Sequence, residues 1–200
     1  MTKKQRETEL KKIKDEVLNL KKSPLYKYRT ENNYFPVIGK GSHDAKIMFI
    51  GEAPGKNEAE TAKPFCGASG RILDELCASI GLSRKDVYVT NIVKDRPPKN
   101  RDPKPDEIKL YAPFLDRQIQ AIQPEVIGTL GRFSMTWILT HFKHEDKDIK
   151  ISLAHGKKFE VWTDYGLLTI VPLYHPAVAL YRASQKDTLI KDFQILKQFI

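Results

Sequence analysis

The chain has 200 residues, 40% of them hydrophobic, enough for one domain with a sizeable core and too few for two of ordinary size. Lys and Arg outnumber Asp and Glu by 34 to 25, a formal net charge of +9 that suits a polyanionic partner as readily as it suits plain solubility. No stretch reads as a membrane span or a secretory leader, so a cytoplasmic protein is expected, and two cysteines, Cys66 and Cys77, cannot make a four-thiolate metal site.

The segment MTKKQRETELKKIKDEVLNLKK alternates charges around Leu10, Ile13, Val17 and Leu20 at helical spacing. It predicts an amphipathic helix over about 4–22, packed on the rest of the chain with a solvated charged face. A turn-rich stretch then leads to KIMFIG (46–51), a short run of strand formers that stops on glycine. VYVTN (87–91), VIGTLG (126–131) and LLTIVPL (167–173) repeat that pattern. Helix-like stretches follow each run: ASGRILDELCASIG, KPDEIKLYAPFLDRQIQAIQP, RFSMTWILTHF and KDTLIKDFQILKQFI. Continuous apolar strands alternating with amphipathic helices predict an α/β fold. The expectation is a single domain over 1–200, a three-layer α/β/α sandwich around a central, mainly parallel four-stranded sheet.

Such sheets bind ligands beyond the carboxyl ends of their strands. The segments GEAPGKNE, NIVKDRPP, GRF and YHPAVALYR are therefore expected to converge. Taken with the continuation GEAPGKNEAETAKPFCGASGRILDEL, these motifs in this order resemble the uracil-DNA glycosylase superfamily, specifically its family 4, over nearly the whole chain. The resemblance implies uracil-containing DNA, single- or double-stranded, as the partner of a monomeric, monofunctional repair enzyme that flips out uracil and hydrolyses its N-glycosidic bond.

That chemistry places negative charge on the departing base and needs the base held outside the helix. Phe65 matches the residue that stacks on the base, and Asn91, a polar stop on an apolar strand, can donate to uracil O4 and accept from N3–H. His175 matches the electrophile that meets charge on O2. Glu52 is a candidate to orient water or to shape its loop, Gly51 and Ala53 of the same loop are expected to contact the substrate, and Glu58 matches the residue that crowds a 5-methyl group. Lys94, Arg96, Lys99 and Arg101 are expected to face DNA, and Leu180, Tyr181 and Arg182 to enter the duplex near the vacated base.

Family 4 members commonly hold an iron-sulfur cluster on four cysteines. The matching positions here are Leu20, Ser23, Asp95 and Tyr111, none of them a thiol, so no metal and no cofactor is expected. Leu20 and Tyr111 are expected to fill the volume, with Asp95 and Ser23 facing polar groups or water and Lys22, Arg96 or another cation as the candidate partner of Asp95. Two other functions compete: a glycosylase for another deaminated base such as hypoxanthine, and a non-catalytic DNA-binding relative.

Overall fold

The computed structural model describes residues 1–200, apart from the side chain at position 183. Its sheet comprises β1 (Lys40–Gly41), β2 (Ile47–Gly51), β3 (Tyr88–Asn91), β4 (Val126–Leu130), β5 (Phe159–Thr163) and β6 (Gly166–Leu173), in the order β1-β3-β2-β4-β6-β5. The four inner strands pair in parallel, and they are the four apolar runs of the sequence. The sheet is nevertheless mixed and six-stranded, because β1 and β5 add antiparallel edges. Neither edge could resemble the inner strands. β1 is two residues long, and β5 buries Phe159 and Val161 while exposing Glu160 and Trp162, the alternation of a strand wetted on one face.

Successive side chains of a strand face opposite ways, so an all-apolar strand needs cover on both sides. Met48 and Ile50 pack with α1 (Lys3–Leu18), α5 (Pro105–Ile122) and α6 (Arg132–His141). Ile47 and Phe49 pack with α4 (Ala68–Ala78) and α9 (Ala183–Phe193). Leu10, Ile13 and Val17 are the buried stripe of α1, and Arg117 of α5 holds its charged side by contacts to Glu9 at 2.6 Å and Glu16 at 2.5 Å. α1 stops four residues before the expected boundary. A turn at Asn19 to Leu25 follows, then α2 (Tyr26–Glu31), and this turn carries Leu20 and Ser23 against α5.

From β2 the chain crosses to β3 on one side and later to β4 on the other, so a crevice opens at the carboxyl end of β2. Gly51 and Asn91 are register partners there, and His175 stands two residues beyond the end of β6.

Candidate active site

Asn91 is the last residue of β3, 2% exposed, and no hydrogen bond among the described residues involves its side-chain amide. Gly51 beside it is a requirement of packing: a Cβ there would overlap Asn91 Oδ1 and press on the Phe65 ring. The structure thus puts Gly51 beneath the site, where its missing side chain lets two others approach.

Phe65 lies between α3 (Lys56–Thr61) and α4 with φ of 49°, a left-handed conformation costly for an aromatic residue. The loop is held in it from several sides. Glu58 Oε1 accepts from the amides of Cys66 (3.1 Å) and Gly67 (3.0 Å), Arg84 donates to Pro64 O (2.8 Å), and Gly70 leaves room for Phe65 O. Glu58, expected to crowd a 5-methyl group, is thus an anchor of this loop.

His175 meets Phe65 with ring centroids 5.6 Å apart. Its Nδ1 accepts the amide of Ala177 at 3.2 Å, so the proton of the neutral ring sits on Nε2. Burial lowers its pKa to about 4 against the opposing pull of Glu58, which keeps it neutral near pH 7. Glu52 is pushed up to about 7, first by burial and then by the charge of Asp102, with Arg132 pulling the other way.

Glu52, Ala53, Glu58, Phe65, Asn91 and His175 share one cavity of about 240 Å³. Sites for drug-sized ligands run to ~300–1,000 Å³, so this one suits a single small heterocycle. Pro97, Asn100 and Asp102 are among the other residues that line it, and Arg132 contacts Asp102 at 3.1 Å. These lining residues were not singled out in the sequence. Their signal was their place in the loop that follows Asn91.

A model described as the uracil DNA glycosylase superfamily matches residues 38–197. The chain belongs to this superfamily. It is 46% identical over 188 residues to the type-4 uracil-DNA glycosylase of Saccharolobus solfataricus, covering 93% of this chain and 84% of that protein. The type-4 enzyme of Sulfurisphaera tokodaii is 44% identical over 191 residues (94% and 84%), and that of Archaeoglobus fulgidus 43% over 179 residues (90% and 87%).

Within this superfamily member the basic loop does not behave as one unit. Lys94 is fully buried, which contradicts its expected place on DNA. Its Nζ donates to Thr90 Oγ1 (2.8 Å), Asn91 O (2.6 Å) and Gln118 Oε1 (2.5 Å), and burial sets its pKa well below the usual value. Arg101 forms a two-pronged pair with buried Glu107 at 2.6 and 2.9 Å. Burial acts to raise Glu107, but Arg101 and the amide of Lys104 hold it below the ordinary range, and the pair fastens the start of α5. Arg96 bonds Asn100 Oδ1 and Tyr34 OH and lies over the Tyr34 ring. Lys99 is exposed, as are Leu180, Tyr181 and Arg182 around α8 (Val178–Tyr181), with Tyr181 85% exposed.

The four positions that match cluster cysteines do come together. Ser23 Oγ lies 2.8 Å from Tyr111 OH, which donates to Asp95 Oδ2 at 2.6 Å. Arg29 NH1 reaches both Asp95 oxygens at 3.0 and 3.1 Å, while its other contacts are the carbonyls of Val17 and Leu18 at the end of α1. The partner of Asp95 is thus another cation, Arg29, and neither Lys22 nor Arg96. Burial raises Asp95 above the usual carboxylate range while Tyr111 and Arg29 pull it back. Leu20 is buried alongside. Iron-sulfur ligation requires thiolates, and these four residues, of which Ser23, Tyr111 and Asp95 are already bonded to one another, do not fit a cluster.

Proposed function

We propose that this chain removes uracil from DNA in base excision repair, hydrolysing the N-glycosidic bond and leaving an abasic site. The observation that carries it is the convergence of Phe65, Asn91 and neutral His175 on one small cavity. Phe65 stacks on the flipped base, a contact worth ~1–3 kcal/mol. The unbonded Asn91 amide faces the base edge. His175 presents Nε2–H to the oxygen where charge develops, and a neutral donor of this kind adds no proton to the leaving base. Glu52, ionised in part near its pKa of about 7, orients the attacking water.

No lysine lines the cavity among the described residues, which supports a monofunctional hydrolase that leaves the strand intact. Exposed Leu180 and Tyr181 act as the wedge, with Lys99 and Arg182 on phosphates. Residues 1–200 act as one domain and one monomer, and the Arg29–Asp95–Tyr111–Ser23 network takes the structural place of a cluster. The purified protein should accordingly be colourless and free of stoichiometric iron.

The test is a set of oligonucleotides with single defined lesions, with and without an opposing strand, treated with alkali after incubation. Cleavage at uracil, lost in His175→Ala, is expected. Cleavage at hypoxanthine alone would reassign the substrate, and no product at enzyme excess would make the chain a binding protein.

A further inference from the structure

Lys94 carries its amine into the interior with no carboxylate within ion-pair distance, Asp116 being the acid whose charge acts on it, and the three groups that its Nζ bonds are all neutral acceptors. Each is an acceptor for a definite reason. Thr90 Oγ1 gives its own proton to Ile38 O at 2.6 Å. Gln118 Nε2 donates to Ile38 O (2.8 Å) and Tyr88 OH (3.0 Å), which turns its Oε1 toward Lys94. Asn91 O is a peptide carbonyl in the last register pair of β2 and β3, and the next amides, Ile92 and Val93, already bond Gly51 O and Glu52 O. A lysine Nζ can make up to three hydrogen bonds in a tripod, and here three acceptors stand around it. A buried polar group is tolerated only when its hydrogen bonds are made.

Placed this way, Lys94 grips the peptide carbonyl of the residue whose side chain lines the cavity. Rotation about that peptide would swing the Asn91 amide away from the base, and a displacement of about 1 Å in a positioned group can cost ~100-fold in rate. We propose that Lys94 is a positioning residue for glycosidic cleavage, holding the end of β3 so that Asn91 stays aimed at the base. This rests on the assignment of Asn91 to the base in the proposed function.

The test is a double-mutant cycle read by single-turnover release of uracil from an oligonucleotide, using the full chain. Lys94→Met should slow release about 10- to 100-fold with DNA affinity unchanged. In an Asn91→Ala background the same substitution should add little, since a residue acting through Asn91 has nothing left to position. Circular dichroism and urea midpoints check folding. Should Lys94→Met fail to fold, Gln118→Met, which removes one acceptor and leaves Lys94 Nζ on Asn91 O, should give a smaller loss with the same non-additivity. Wild-type rates in these variants, or losses that multiply with that of Asn91→Ala, would overturn the inference alone. A wild-type chain that releases no uracil would overturn the proposed function and this inference with it.

Discussion

Asn91 and Asp95 are four residues apart and equally hidden, at 2% and 0% exposure, yet their surroundings are opposite. Asp95 has both oxygens occupied by Arg29 and Tyr111, and the network continues through Ser23 into the protein. Asn91 has an amide that bonds to nothing among the described residues and borders a cavity. A buried polar group left unpaired costs ~1–3 kcal/mol, so folds keep few of them. A saturated group is therefore explained by the fold, whereas an unsaturated one beside a cavity points to a ligand that completes it. Between them, Lys94 follows the saturated pattern, which is why a cation that looks suited to DNA belongs to the interior.

The largest effect should come from the saturated side. Asp95→Ala strands the Arg29 guanidinium in the interior and should destabilise the fold by ~3–5 kcal/mol in urea titration. Asn91→Ala should leave the urea midpoint nearly unchanged while it removes most uracil release. Equal losses of stability in the two variants would erase the contrast.

On the cavity side, His175→Ala should lower single-turnover cleavage by about 100- to 1,000-fold, as removal of one such donor does elsewhere. The pH profile separates the two ionisable groups. With Glu52 at about 7, its carboxylate is lost as pH falls through 7, so the rate should drop along a single-proton limb there. His175 gains its proton only near pH 4 and should add a second fall at that point. Glu52→Gln should remove the limb near 7 and spare the lower one; an unchanged profile would leave Glu52 a loop-shaping residue.

Smaller effects should follow at Glu58, which belongs to both categories. Glu58→Gly should admit some release of thymine and, by freeing the Cys66 and Gly67 amides, cost ~1 kcal/mol of stability. A drop in stability with no thymine release would make it an anchor alone. The smallest changes should be at the surface: Lys99→Ala and Arg182→Ala should each reduce the salt dependence of DNA binding by about one unit of slope, with cleavage of bound substrate unaffected.

Much of this site was legible because it is built from strand ends. An apolar run stopping at Gly51 or Asn91, or a His-Pro just after a run ending at Leu173, states its position locally, and a parallel sheet gathers such ends at one edge. The edge strands were less legible, since two residues show no periodicity and β5 has the alternation of a strand wetted on one side. That Asp95 would meet a cation was legible, but which one was not: Arg29 is 66 residues away and owes its place to the turn after α1.

The sequence alone determined the parallel core, the order of its loops, the candidate trio Phe65, Asn91 and His175, and the absence of thiols at Leu20, Ser23, Asp95 and Tyr111. These follow from residue type and short-range spacing. Tertiary structure decided which charges are spent inside and which face solvent. Lys94, Arg96, Lys99 and Arg101 are alike as a string, but acceptors from α5 and β3 enclose the first, aromatic side chains hold the second, and Glu107 claims the last. The fate of a charge depends on the dipoles and counter-charges around it, and folding brings those from distant parts of the chain.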